Sequence, residues 1–191
     1  MGNEKFEILR LLIENQDKEF SIREISKIRD VNYKSAYLAI KKLELEKIVN
    51  LRKLGNTINC SFNGEFNPLV FNVESKRRED ILKKKNFKVI YERLKILNFP
   101  LICLLFGSSV KEKPSKSSDI DLIIITDNKK EVDRVLRLIP LDIHLTIISY
   151  DEFIKMLRSK EFSVVSEIIK KNVIFLGIED YYRFLGVGLD V

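Results

Sequence analysis

Two acidic residues, one position apart at the start of an apolar segment, are the first candidates for chemistry in this chain. Asp119 precedes and Asp121 interrupts the run Ile-Asp-Leu-Ile-Ile-Ile, which is typical of a buried strand. Because side chains two residues apart on a strand point to the same face, both carboxylates are predicted to leave one face of a sheet. Like charges held so close repel each other unless a cation lies between them. Hard oxygen ligands suit Mg²⁺ or Mn²⁺, so this spacing predicts a divalent metal site.

A Gly-Ser pair lies upstream of these aspartates and closes another apolar segment. Residues 101–106 (LICLLF) form a continuous apolar run, as expected of a strand that is buried on both faces. Gly107 permits close approach to the backbone, and Ser108 is predicted to begin a short helix whose first amides carry partial positive charge. Such a turn can bind phosphate, so it extends the predicted metal site towards a phosphorylated ligand.

The segments after the aspartates predict further elements of the same sheet. A helix is predicted from Asn128 to about Ile139, where Pro140 ends it. A third strand follows over residues 141–149, with Asp142, His144 and Thr146 on one face. Ser149 is predicted to cap another helix, residues 161–171 read as helical again, and residues 173–176 as a final strand. His144 could line the pocket, although a strand histidine with no role in binding is the alternative.

The first third of the chain predicts a different arrangement. Apolar residues at helical spacing lie in residues 4–14, and Ser21 with Glu24 forms a capping box that begins a second helix. Asn32 can cap a third helix to about Glu46, and two short strands surround the turn Gly55-Asn56. The predicted order is therefore helix, short strand, helix, helix and hairpin.

This order resembles the winged helix-turn-helix family of DNA-binding domains over roughly residues 3–63. The resemblance implies duplex DNA as a partner, with the third helix as the recognition helix and the hairpin as the wing. Between Asn32 and Asn56 the chain carries six basic and two acidic residues, a balance that favours contact with phosphates. A dimerisation module with solvated lysines is the alternative. The candidate DNA contacts are Tyr33, Lys34, Ser35, Tyr37, Lys41 and Lys42 on the helix, and Arg52 and Lys53 on the wing.

The second part of the chain resembles the nucleotidyltransferases of the DNA polymerase beta superfamily, and among them the small prokaryotic group. The resemblance rests on an apolar strand ending in Gly-Ser, ten intervening residues, Asp-apolar-Asp on the next strand, and an acid on a later strand. It implies that Asp119, Asp121 and Asp142 bind Mg²⁺ or Mn²⁺, with Asp142 also as the base for the incoming hydroxyl. It further implies that Gly107 and Ser108 hold the phosphates of an NTP, expected to be ATP. Lys111 would neutralise the leaving pyrophosphate, and Ser118 also fits the pattern.

These observations predict an α+β protein. Its parts would be a winged helix-turn-helix domain (residues 1–64), a helical linker (65–99) and a polymerase-beta-like nucleotidyltransferase domain (100–191) with a small mixed sheet flanked by helices. Residues 76–95 carry nine Lys or Arg and three acids, so this segment could be a solvated face or a contact for nucleic acid or triphosphate.

The composition argues against some classes of site and of protein. The 191 residues carry a formal net charge of +6 and contain one histidine and two cysteines, which argues against a structural zinc site. No apolar stretch is long enough for a transmembrane helix, and the two cysteines suit a reducing compartment, so a cytoplasmic location is expected. The predicted function is metal-dependent transfer of an NMP to a hydroxyl acceptor, coupled to DNA binding. The alternatives are a transcriptional regulator that senses nucleotides through the transferase fold, and an antitoxin-like protein that modifies a protein partner. A homodimer is compatible with each of these three functions.

Overall fold

The computed structural model describes residues 2–110, 119–159, 168–169 and 171–189. The chain divides into two compact units, Met1–Val73 and Glu74–Val191. Both combine helices with a small sheet, which confirms the predicted α+β class. The division falls inside the segment 65–99 that the sequence predicts as a linker.

The first unit contains the helices and strands in the order that the sequence predicts. They are α1 (Gly2–Glu14), β1 (Phe20–Ser21), α2 (Ile22–Ile28), α3 (Tyr33–Leu45), β2 (Val49–Leu54) and β3 (Thr57–Phe62). The strands pair antiparallel in the order β1-β3-β2. Ser21 and Glu24 form the predicted capping box at the start of α2, and the Asn32 side chain accepts a hydrogen bond from the Lys34 amide at the start of α3. Most isoleucines and leucines of the three helices form the core of this unit, whereas Ile28, Leu38 and Leu45 are exposed.

The second unit contains a four-stranded sheet with both parallel and antiparallel strand pairs. Helix α4 (Pro68–Leu82) spans the division between the units. The elements that follow it are α5 (Lys85–Lys95), β4 (Ile102–Phe106), a 3-10 turn (Gly107–Val110), β5 (Ile120–Ile125), α6 (Lys129–Leu136), β6 (Ile143–Ile148), α7 (Tyr150–Arg158), β7 (Val173–Leu176) and α8 (Ile178–Leu189). The strand order is β6-β5-β4-β7. Strand β4 is antiparallel to both of its neighbours, whereas β5 and β6 are parallel.

Both faces of the central strands are buried, as the continuous apolar runs predict. On one face, Ile120, Leu122 and Ile124 of β5 pack with apolar side chains from α5 and α6. On the other face, Ile123 and Ile125 are also buried. Since Phe87, Ile90 and Leu94 belong to this core, α5 is an integral part of the second unit. Cys60 and Cys103 are buried free thiols.

A buried ion pair connects α4 to α8 and to the residue before β7. Glu74 is fully buried, and Nη1 of Arg77 lies 2.6 Å from its Oε2. Nη2 of Arg77 donates to the carbonyl of Asn172 at 2.6 Å, and the Tyr182 hydroxyl donates to Oε1 of Glu74 at 2.7 Å. The basic segment 76–95 is therefore not simply a solvated face, because Arg77 is only 5% exposed.

Replacing Arg77 by methionine is expected to lower the free energy of unfolding by about 3–5 kcal/mol, because a buried carboxylate loses its counter-charge. Urea denaturation of the full chain measures this loss. The matched control is Arg183→Met, since Arg183 forms exposed ion pairs with Asp180 and Glu179 on α8 and should contribute less than about 1 kcal/mol. Equal losses in the two variants would contradict this role for the buried pair.

Candidate functional site

The strand register brings the backbone segments that carry the predicted acidic residues to the same end of the sheet. Phe106 of β4 lies opposite Asp121 of β5, so the turn that begins at Gly107 is next to Asp121. On the other side of β5, Asp121 is in register with His144 of the parallel strand β6. The ladder extends one residue further, since the Ile120 amide donates to the Asp142 carbonyl at 3.1 Å.

Asp119 and Asp142 lie just before the first residues of β5 and β6, so strand alternation predicts that they share the face of Asp121 at this end of the sheet. Asp119 lies two residues before Asp121, and Asp142 two residues before His144. Asp119 and Asp142 are exposed, whereas the Asp121 side chain is only 21% exposed. Because strand β6 alternates between exposed and half-buried residues, Asp142, His144 and Thr146 face solvent on this side.

Gly107 and Asp121 make a close approach that a Cβ at position 107 would disturb. The backbone of Gly107 has φ +68°, and a Cβ built there would lie 3.0 Å from Cγ of Asp121 and closer still to its Oδ2. The backbone conformation therefore favours glycine, and any larger residue would displace the Asp121 carboxylate from its present position. The absent Cβ leaves the Asp121 carboxylate directly against the turn that the sequence predicts to hold phosphate.

The remaining predicted nucleotide contacts can be placed only in part. Ser108 lies within the 3-10 turn, which here takes the place of the predicted short helix start. Lys111 and Ser118 lie outside the described residues, as does most of the predicted helix 161–171. Ser109, which the sequence did not single out, is buried, and its hydroxyl donates a long bond of 3.5 Å to the Asp119 carbonyl.

The donor set suits a divalent cation, although the side chains do not enclose one. Three carboxylates near one end of the sheet match the oxygen ligands that Mg²⁺ and Mn²⁺ prefer. In the part of the chain that the structure describes, however, no three His, Cys, Asp or Glu side chains are close enough to hold a metal ion. Asp121 instead contacts His144, whose Nδ1 lies 3.3 Å from Oδ1. Since Asp119 and Asp142 are exposed, their side chains can rotate towards Asp121 without disturbing the core.

The candidate DNA contacts lie on the exposed side of α3 and on β2. Tyr33, Lys34 and Lys42 are exposed, whereas Ser35 and Tyr37 are half-buried. Nζ of Lys41 lies 2.7 Å from Oε2 of Glu44, an ion pair that partly neutralises it. On β2, Arg52 and Lys53 are exposed, and Nη1 of Arg52 lies 3.6 Å from Oε1 of Glu19.

A groove in the first unit adds residues that the sequence analysis missed. It has a volume of about 540 Å³ and lies between α2, the start of α3 and the hairpin formed by β2 and β3. Arg23 and Lys27 of α2 line it together with Tyr33 and Asn56. Arg23 and Lys27 are four residues apart on α2, and this spacing could have identified them because such residues share a helix face.

Within the ranges that the structure describes, no helix has the length and apolar character needed to cross a bilayer.

Comparison with known proteins gives one result. A family model described as "Polymerase beta, Nucleotidyltransferase" matches residues 79–180, slightly more than half of the chain. The match includes α5, the Gly107 turn and all three aspartates, and it begins well upstream of residue 100, where the sequence analysis begins the transferase domain. No curated protein and no solved structure matches this chain.

Proposed function

Because this chain belongs to the polymerase beta family of nucleotidyltransferases, we propose that its second unit transfers an NMP from an NTP to a hydroxyl acceptor with the help of a divalent metal ion. Family membership supports a nucleotidyltransferase-type activity and implies an NTP substrate. The observation that carries the proposal is the position of the Asp121 carboxylate, which lies directly against the turn at Gly107. A metal bound by the carboxylate would thus be next to the phosphates bound by the turn.

In this proposal the turn at Gly107 and the carboxylate face, which consists of Asp119, Asp121 and Asp142, have separate roles. The turn at Gly107 and Ser108 binds the β- and γ-phosphates through backbone amides, and Lys111 neutralises charge on the leaving group. Asp119, Asp121 and Asp142 hold Mg²⁺ or Mn²⁺, which when bound would stabilise the negative charge that develops on the phosphate oxygens. Exposed Asp119 and Asp142 rotate towards Asp121 to complete the ligand set.

The proposed transfer replaces one bond at the α-phosphorus by another. The acceptor oxygen forms a bond to the α-phosphorus, and the bond from the α-phosphorus to the bridging oxygen of the β-phosphate breaks. Asp142 accepts the proton of the acceptor hydroxyl, and pyrophosphate leaves with the bridging oxygen. The exposed edge on which Asp142 lies gives a large acceptor access to this face.

Thermal melting with each of the four NTPs, in the presence and absence of Mg²⁺, tests the binding step. We expect at least one NTP to raise the melting temperature only when the metal is present, since ligand binding to the folded state stabilises it. No metal-dependent shift with any NTP at millimolar concentration would contradict the proposal.

A second candidate function is binding of duplex DNA by the first unit. The supporting observation is the groove beside α3, whose lining combines Arg23 and Lys27 with the exposed ring of Tyr33. Exposed Lys34, Lys42 and Lys53 add to the positive charge of this unit. Phosphate contacts by such residues supply affinity without base recognition.

Lys42→Ala is expected to weaken duplex binding and to reduce the slope of log K against log salt by about 1, as loss of one phosphate contact should. Lys41→Ala on the same helix is the matched control, because its ammonium group already pairs with Glu44 and should change the slope less. Fluorescence anisotropy at several salt concentrations measures both. An unchanged slope for Lys42→Ala would contradict the assignment of α3.

A further inference from the structure

The sequence contains one histidine, His144, and it lies beside Asp121, the most buried of the three aspartates. It occupies the position on β6 that is in register with Asp121, and its Nδ1 lies 3.3 Å from Oδ1 of Asp121. The imidazole is 75% exposed, so the core does not require it. A side chain in this position affects the site through Asp121 rather than through the packing of the fold.

The two oxygens of Asp121 have different surroundings. Oδ1 faces His144, whereas Oδ2 faces the position that a Cβ on Gly107 would occupy. An ionised carboxylate only accepts hydrogen bonds, so a hydrogen bond between the two groups in that state requires the hydrogen on Nδ1. A hydrogen bond to Oδ1 fixes the rotation of the carboxylate and keeps Oδ2 directed at the turn.

We propose that His144 is a positioning residue that holds Asp121 in the orientation needed to bind a divalent metal beside the nucleotide phosphates. This inference rests on the proposed nucleotidyltransferase function of the same face. Partners that hydrogen-bond to a metal-binding side chain pre-orient it, and their loss typically weakens metal binding about 10- to 100-fold. His144 thus acts on the metal through Oδ1 of Asp121, without binding it.

Three substitutions of His144 separate this role from the alternatives. Asparagine places its amide nitrogen close to the position of Nδ1 and can donate to Asp121, whereas glutamine places its amide nitrogen nearer to Nε2. Alanine removes both nitrogens. Because the side chain is exposed, all three variants should melt within a few degrees of the parent protein.

The experiment measures the affinity of the full chain for Mn²⁺ by electron paramagnetic resonance, with and without an ATP analogue that has a non-cleavable α,β-methylene bridge. We expect His144→Ala and His144→Gln to weaken Mn²⁺ binding at least about tenfold and His144→Asn to restore most of the affinity. Unchanged affinity in His144→Ala would overturn the positioning role while leaving the proposed function intact. Equal losses in all three variants would overturn it in favour of direct ligation by the imidazole. If the parent protein binds no Mn²⁺ even with the analogue, the proposed function fails, and the role of His144 fails with it.

Discussion

Asp121→Asn is expected to abolish metal-dependent nucleotide binding and to lower the transfer rate by at least about 10³-fold, equivalent to roughly 4 kcal/mol of transition-state stabilisation. The substitution keeps the shape of the side chain but removes the charge that is proposed to bind the metal. Asp121 also lies directly against the turn at Gly107, which is proposed to bind the phosphates. Melting curves with and without MgATP, together with transfer assays, measure the effect.

The matched control is Asp127→Asn, which removes the same charge from an exposed position in the turn after β5. This control should keep the full shift in melting temperature that MgATP causes in the parent protein. The Asp121 variant without ligand should melt close to the parent, because its side chain remains the same size. Equal shifts with MgATP in the Asp121 variant and the parent would contradict the role of Asp121.

Gly107→Ala is expected to lower the affinity for the metal–nucleotide complex by at least about tenfold, since disturbing the groups that orient a metal-binding side chain typically costs about 10- to 100-fold in metal affinity. The new methyl group would occupy the space now held by the Asp121 carboxylate, which would have to move away from the turn. Alanine at φ +68° also adds strain of roughly 1–2 kcal/mol to the backbone. Titration calorimetry with MnATP and urea denaturation measure the two effects separately.

Gly55→Ala is a matched control for the strain alone. Gly55 has φ +59°, close to that of Gly107, but a Cβ at this position would meet nothing within 4 Å. This variant should therefore lose a similar amount of stability and bind MnATP as the parent does. Retention of nucleotide affinity in Gly107→Ala would show that the close approach to Asp121 is not needed for binding.

Much of the fold could be predicted from local patterns in the sequence. The serines at positions 21 and 149, each followed three residues later by glutamate, form capping boxes at the starts of predicted helices. The similar signal of Asn128 with Glu131 is also at the start of a helix, but the Asn128 side chain makes no capping hydrogen bond. The alternation along β6 likewise places Asp142 and His144 on the exposed side, as the period of two predicts. The apolar runs of β4 and β5 predict central strands because both of their faces are covered.

Contacts set by pairing between distant segments could not be predicted in the same way. The Asp121–His144 contact joins residues 23 positions apart, and it depends on the register of a parallel strand pair. A shift of one residue in that register would place His144 on the other face. Arg77 is a similar case, because nothing in a run of basic residues shows which one meets a buried glutamate and the carbonyl of Asn172.

The most direct test of the central claim uses ATP labelled either at the α-phosphate or at the γ-phosphate, incubated with the protein, Mg²⁺ and a cell lysate that supplies acceptors. If the carboxylate face and the Gly107 turn perform nucleotidyl transfer, the α label becomes attached to an acceptor and the γ label is released in pyrophosphate. Both events should disappear in Asp121→Asn. Attachment of the γ label, or attachment of the α label that Asp121→Asn leaves unchanged, would contradict the claim.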